Sequence, residues 1–213
     1  MTPTVQFTVP PASEAKAPPE EGGRRRDEVR LMVGYRASGE IVDDRFPNLV
    51  EYLRAGDVLV LNTSRTIPAA VRGRTADDEE VVVHFSSPVS DERWLVEVRS
   101  PFGFGTRPGP DLAAQRIGLP GGAGLHLIDH PEGTNRLWYA SFDGELDAMN
   151  YLDLYGGPIR YGYASGAWPL QAYQTVYARQ PGSVEMPSAG RPFTADLLAA
   201  VSARGAAVVP VVL

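Results

Sequence analysis

Glu185 is the one carboxylate in a loop of small residues, and that combination is the first chemistry the sequence offers. The stretch Tyr173 to Thr194 reads YQTVYARQPGSVEMPSAGRPFT. Tyr173, Val176 and Tyr177 supply apolar anchors. Gly182, Ser183, Ser188, Ala189 and Gly190 are small enough for a ligand to come close to the backbone. Thr194 is a good N-cap for the run ADLLAAVSARG, with Asp196 in the first turn and Gly205 just past the end. A small-residue loop feeding a helix N-terminus presents free N–H groups and positive partial charge, which suits an anionic group. The same spacing serves an ordinary loop before an ordinary helix, and spacing alone favours that plainer reading.

The elements that must position this loop lie on both sides of it. Asp57–Leu61, DVLVL, is apolar throughout, as expected of a strand buried on both faces. It delivers Asn62, Thr63, Ser64 and Arg65 at its carboxyl end, where open α/β sheets usually bind ligands. Asn62 fits a turn equally well, and Arg65 a surface cation. Val29–Val33 and Glu40–Phe46 read as two strands around a Gly-containing turn, and Asn48–Leu53 as a helical turn ending at Gly56. From Ile67 to about Phe142, short alternating segments such as EVVVHFS, RWLVEVRS and RLWYASF are punctuated by Gly, Pro, Asp and Asn, the texture of an antiparallel barrel or sandwich. Glu145–Tyr155 reads as an amphipathic helix with Leu146, Met149, Leu152 and Leu154 apolar, stopped by Gly156-Gly157-Pro158. The expected fold class is therefore an α/β main domain, residues 1–65 and 145–213, with an antiparallel β-barrel subdomain inserted at 66–144. Tyr161, Tyr163 and Trp168 suit stacking on a base and plain packing equally.

The ends of the chain differ in texture. The N-terminal segment carries a strand-like VQFTV, then a Pro/Glu-rich stretch, PPASEAKAPPEEGG, expected to be a mobile surface loop. Arg24-Arg25-Arg26 fits a phosphate contact or a solvated run. At the other end AAVVPVVL is an apolar strand whose Pro210 must face away from pairing. A bare apolar strand there is an exposed-edge hazard, which leads to the expectation of a missing half or of a partner that supplies it, including self-association.

Composition excludes several chemistries. The 213 residues include no Cys, so disulfides, thiolate metal sites and a Cys nucleophile are ruled out. Lys16 is the only lysine among twenty Lys and Arg, and it sits in the Pro-rich head, which argues against a Schiff-base or P-loop lysine. A net charge of −6 speaks against a general nucleic-acid coat. Gly103, Gly105 and Gly109 in GFGTRPG have the wrong spacing for a dinucleotide loop. His126 and His130 stand among Gly and Pro, so a strand and turn are expected; along a strand they would lie about 13 Å apart, too far to share a metal. No metal is expected. No apolar run reaches the length of a membrane span and the N-terminus has no apolar signal core, so no membrane partner and a cytoplasmic location are expected.

Motifs spread along the chain resemble one family. YQTVYA followed by GSV, then P-S-A-G and F-T, resembles the S-adenosylmethionine:tRNA ribosyltransferase-isomerases of queuosine biosynthesis. Arg26-Asp27 with Arg30-Leu31, Ser38-Gly39-Glu40-Ile41 before Phe46, Arg54-Ala55-Gly56-Asp57 to Asn62, and Arg65 with Ile67-Pro68-Ala69 resemble further segments of that family, in its order. The likeness runs from about Val5 to the end of the chain. It implies the same insertion of a β-subdomain, S-adenosylmethionine as a substrate, and the anticodon region of a tRNA as partner. The implied reaction moves the ribosyl part of S-adenosylmethionine onto 7-aminomethyl-7-deazaguanine and rearranges it to epoxyqueuosine, releasing adenine and methionine.

Such chemistry needs a base near ribose C5′, whose proton the adjacent sulfonium acidifies, support for adenine departure, and a holder for the methionine carboxylate. For that chemistry the catalytic candidates in this chain are Glu185, the one carboxylate of the loop, and Arg65. The implied substrate-binding set is Arg30, Asn62, Tyr173, Gln174, Tyr177, Ser183, Pro187, Ser188, Ala189, Gly190, Arg191, Phe193 and Thr194. Within it Arg30, Arg65 and Arg191 are anion holders, and Tyr177 and Phe193 bracket the adenine. The sequence departs from the family where Arg191 and Pro192 replace Leu and His, and where Thr63 replaces an acidic residue. A different acceptor, or a non-catalytic S-adenosylmethionine- or RNA-binding fragment, therefore stand beside the main reading.

Overall fold

The computed structural model describes Thr8, Pro10, Ser13 and residues 15–213. The strand expected over VQFTV, apart from Thr8, lies outside the described residues. The strands are β1 (Arg30–Gly34), β2 (Ile41–Arg45), β3 (Val58–Asn62), β4 (Ser64–Thr66), β5 (Ala70–Arg74), β6 (Glu80–Pro88), β7 (Arg93–Phe102), β8 (Gly105–Pro108), β9 (Arg116–Gly118), β10 (Gly124–Asp129), β11 (Leu137–Asp143), β12 (Gln180–Ser183) and β13 (Ala207–Val211). The helices are α1 (Ala148–Tyr155) and α2 (Ala195–Ala203).

Seven strands pair in the order β11-β10-β9-β5-β6-β7-β8, and β11 pairs with β7 as well, so the pairings return on themselves. Every pair is antiparallel. Alternation explains the core. Val81, Val83 and Phe85 on β6 meet Val96 and Val98 on β7 and Ile117 and Leu125 on β9 and β10, all buried. Phe85 sits edge-on to Trp94 and Phe142, with ring centroids 5.5 and 6.4 Å apart. Asp147 caps α1, accepting from the Asn150 N–H at 3.0 Å. The buried face of α1 is Ala148, Tyr151 and Leu152. Leu146 and Leu154, expected on the apolar face, are exposed instead: the helix starts after Asp147, so Leu146 precedes it, and Leu154 lies two positions beyond Leu152, away from the buried side.

The other elements are thinner. β1 and β2 form an antiparallel hairpin, while β13 pairs parallel with β3, from Ala207 opposite Val58 to Val211 opposite Asn62. α2 covers one face of that pair through Leu197, against Leu61 and Phe193. The expectation that β3 is buried on both faces is corrected here. Val58 and Val60 are 59% and 57% exposed, because β3 has a single strand neighbour and cover on only one side. β3 and β6 belong to different sheets.

The described part of the Pro/Glu-rich stretch is pinned down. It forms a short 3-10 turn, Pro19–Gly22. The Lys16 carbonyl accepts from the Ser165 N–H at 2.9 Å, and Trp168 Nε1–H donates to Glu21 at 3.3 Å. The mobile loop expected from composition is thus held by partners far away in sequence.

Candidate functional site

The loop from Tyr173 to Thr194 is fixed at both ends. Thr66 Oγ1 donates to the Tyr173 carbonyl at 2.9 Å. Gln174 spans the Thr66 backbone, accepting from its N–H at 3.0 Å and donating to its carbonyl at 2.7 Å. β12 runs parallel to β4, placing Ser183 opposite Thr66. At the far end Thr194 caps α2, its hydroxyl accepting from the Leu197 N–H at 3.1 Å. Gly205 closes the helix at φ +88°, a conformation that favours glycine.

Between these anchors some of the sequence-derived candidates divide over two concavities, while Gln174, Ser183, Glu185 and Thr194 line neither. Asn62, Tyr177, Pro187, Ser188, Ala189, Gly190 and Phe193 meet around a groove of about 500 Å³ at the carboxyl end of β3. Its backbone approach is close: a Cβ on Gly190 would lie 2.0 Å from the Tyr177 hydroxyl. Tyr173, Ser188 and Arg191 line a second pocket of about 230 Å³, together with Tyr161, Tyr163, Trp168 and the 15–19 segment. Tyr161 and Tyr163 stack at 5.4 Å with their planes 8° apart.

Glu185 is exposed and accepts a long hydrogen bond, 3.4 Å, from the Tyr161 hydroxyl. Burial first, and then the charge of Glu185, push the Tyr161 phenol up to about 12. Tyr161 thus stays protonated and donates to the carboxylate at neutral pH. Ser183 Oγ donates to the Glu185 carbonyl at 2.7 Å and so shapes the turn.

Other candidates are placed differently from their expected roles. Arg191 is buried, donates to the Ala172 carbonyl at 2.8 Å, and directs Nη2 at both oxygens of Glu20 at 3.1 Å. Its anion is supplied from within the chain. Arg30 is an exposed partner of Asp43 at 2.9 Å and lines neither concavity. Arg65 is half-buried in β4 and also lines neither. Phe193 is 5% exposed and packs edge-on against Phe46 at 5.0 Å. Its ring and that of Tyr177 are 6.3 Å apart at 66°, so the two do not bracket a flat base. Such a sandwich needs parallel rings with a gap, and Phe193 is instead part of the small core under α2. Asn62 Oδ1 accepts from the Ser64 N–H at 2.9 Å, which is the turn role.

The departures from the family's motifs have structural counterparts. Thr63, at the position of the family's acidic residue, is 7% exposed and its hydroxyl donates to the Val211 carbonyl at 3.0 Å. His126 approaches Asp143 at 3.8 Å, while His130 Nδ1 meets the Leu137 carbonyl at 2.7 Å, so the two histidines serve separate places. Among the described residues no three His, Cys, Asp or Glu side chains gather into a metal-sized group.

Sequence reasoning passed over His84. It sits in the apolar run EVVVHFS, where its one signal is a titratable side chain on the outward phase of a strand. It is buried, and its Nε2 has no hydrogen-bond partner. Burial above all, then the charge of Arg99, hold its imidazole down to about 4, so it is neutral at pH 7.

Comparison with known proteins bears on the chain as a whole. The family model described as "Queuosine biosynthesis protein" matches residues 2–213. The S-adenosylmethionine:tRNA ribosyltransferase-isomerase of Heliobacterium modesticaldum is 32% identical over 213 residues, covering 97% of this chain and 58% of that protein. Its counterpart in Pelobacter propionicus is 36% identical over 190 residues, covering 85% and 52%. The crystal structure of S-adenosylmethionine tRNA ribosyltransferase from Thermotoga maritima aligns with 97% of this chain and 56% of that one at 22% identity, with a TM-score of 0.36, too loose to bear on the fold. The chain spans about half the length of the curated relatives it matches.

Proposed function

Because this chain belongs to the queuosine biosynthesis protein family, we propose that it acts in S-adenosylmethionine-dependent ribosyl transfer and isomerisation on tRNA, with S-adenosylmethionine bound along Ser183–Thr194. The observation that supports this most is the groove at the carboxyl end of β3, where seven residues singled out from the sequence meet a tightly apposed backbone. The ribosyl acceptor is 7-aminomethyl-7-deazaguanine in the anticodon region, and the product epoxyqueuosine. No described helix is long and apolar enough to cross a membrane, and a cytoplasmic setting suits a tRNA substrate.

Each part of the chemistry has a candidate. Glu185, exposed on the loop and outside the lining of the groove, is the candidate to face the sulfonium or the ribose, where a carboxylate favours the cation and can take the C5′ proton. Tyr161 holds that carboxylate by its hydrogen bond. The backbone of Ser188–Gly190 approaches the adenosine, with Tyr177 as an aromatic wall and Phe193 beside it. Arg65, near the end of β4, takes the methionine carboxylate if the ligand extends past Asn62. The ring of strand pairings between residues 66 and 144 forms the inserted barrel, and residues 1–65 and 145–213 the discontinuous main domain. The bare valine face of β3 takes a covering layer, from further polypeptide or from a second copy.

A second use of S-adenosylmethionine, on a different acceptor, is favoured by one observation. Arg191 replaces a Leu of the family motif, and with Glu20 it fills the wall of the aromatic pocket. Detection of free adenine from S-adenosylmethionine, with and without unmodified tRNA, separates the two. Adenine release only with tRNA supports ribosyl transfer to tRNA; release without it supports another acceptor; none in either case leaves a binding role.

A further inference from the structure

A third concavity of about 290 Å³ lies outside the loop altogether, on the outer wall of the seven-stranded sheet. It forms where several segments meet. Ala70 and Arg72 come from β5, Val82 and His84 from β6, and the remaining walls from the β7–β8 hairpin, Pro120 and the 155–160 connection. The connection is locked to the sheet by paired hydrogen bonds between Ala70 and Gly157, both 2.9 Å. The hairpin is pressed against it so closely that a Cβ on Gly105 would lie 2.7 Å from the Gly162 nitrogen. The cavity is thus walled by backbone that cannot easily shift.

Its chemistry is unusual for a wall between packed elements. His84 is 8% exposed and its Nε2 lacks a partner. That nitrogen is itself shielded, so His84 meets the cavity with the rest of its ring. Two guanidiniums, Arg72 and Arg160, line the same cavity. Arg160 makes no ion pair with a described residue, and Arg72 shares its charge with Glu80. Behind them Arg99 donates to Thr106 Oγ1 at 2.6 Å and pairs with Glu97 at 2.6 Å. Glu97 also takes Arg136 at 3.0 Å. Counting these side chains, the neighbourhood holds more cation than carboxylate. Phe104 and Pro120 supply apolar walls.

We propose that this cavity binds a phosphate group carried on a nucleotide, with the phosphate on Arg160 and Arg72 and the base against Phe104. Planar guanidinium forks match phosphate oxygens. The neutral His84 ring lines the wall without adding charge to the site. The volume is at the small end of ligand pockets and takes one nucleotide, not a folded RNA surface. The proposal is independent of the S-adenosylmethionine loop. Two sources carry the same chemistry: a free mononucleotide, or one nucleotide of a single strand.

The test titrates the full 213-residue chain with 5′-AMP, adenosine and hexauridylate by calorimetry. The same titrations are made on Arg160→Gln and His84→Gln, with circular dichroism verifying the fold. The expected result is binding of 5′-AMP at least tenfold tighter than adenosine, weakened at least tenfold in Arg160→Gln and measurably in His84→Gln. If hexauridylate alone binds and depends on Arg160, the site takes a nucleotide of a strand, which also supports it. Should neither phosphate probe bind, or both bind Arg160→Gln as they bind the parent, the cavity is not a phosphate site. Because Arg160 lies in the connecting segment, its substitution keeps the test readable even if His84→Gln fails to fold.

Discussion

The seven-stranded sheet and the β3–β13–α2 layer are built to different standards. Among the described residues, twenty buried side chains form the sheet's core, against three, Leu61, Phe193 and Leu197, under α2. The sheet closes its pairings on themselves, while β3 and β13 leave Val58, Val60 and Val209 on an open face. The candidate loop hangs on the weaker of the two. Stability concentrated in one part leaves the other free to carry strained or close-approach backbone, and ligand loops generally sit on the less stable parts of a fold.

Truncation on either side tests that contrast most severely. Phe85→Ala removes a fully buried ring with two edge-on aromatic neighbours and is expected to cost about 3–5 kcal/mol in urea denaturation. Leu197→Ala, in a core of three, is expected near about 2 kcal/mol, because its surroundings can relax. Equal costs for the two would break the comparison.

pH should act on the sheet region through His84. Its folded value of about 4 lies below the ordinary 6.5, so the unfolded chain takes up this proton first as the pH falls. The stability tied to the neutral ring is whole above about pH 6.5 and is lost as the pH drops from there towards 4. The loss is roughly 3 kcal/mol in total. The measurement is the difference in urea midpoint between pH 7.5 and 4.5, in the parent and in His84→Gln. The variant should lose distinctly less, since the carboxylates titrating in the same range are common to both. Parallel losses would mean that His84 is not buried in neutral form.

The smallest effect sharpens the picture of the loop. Thr194→Ala removes the hydroxyl that accepts from the Leu197 N–H and should destabilise by about 1 kcal/mol, with Thr194→Ser retaining most of it. A null effect would mean that α2 begins elsewhere.

Local signals were legible in the sequence. Thr194 and Gly205 mark the two ends of α2 because capping is chemistry within a few residues. Alternation in EVVVHFS and RWLVEVRS marks β6 and β7. What the sequence hid is long-range. Gln174 clamps Thr66 across 108 residues and Arg191 takes Glu20 across 171. These contacts turn two expected ligand-binding residues into tethers. DVLVL looks the same whether a strand is covered on two faces or one, so the exposure of Val58 and Val60 could not be read from it. Phe193 follows the loop and was read with it, yet its ring packs beneath α2.

The central claim is that Ser183–Thr194 holds S-adenosylmethionine, and calorimetry with that ligand on four forms of the chain tests it most directly. Gly190→Val drives a side chain into the Tyr177 hydroxyl, 2.0 Å from the new Cβ. Glu185→Gln keeps the shape and removes a charge. Gly190→Ala combined with Tyr177→Phe relieves the same clash. The account expects parent binding, a loss of at least tenfold in Gly190→Val, a smaller loss in Glu185→Gln, and partial recovery in the double variant, all with unchanged circular dichroism. If every variant folds and binds S-adenosylmethionine as the parent does, the loop is structural and the claim is contradicted.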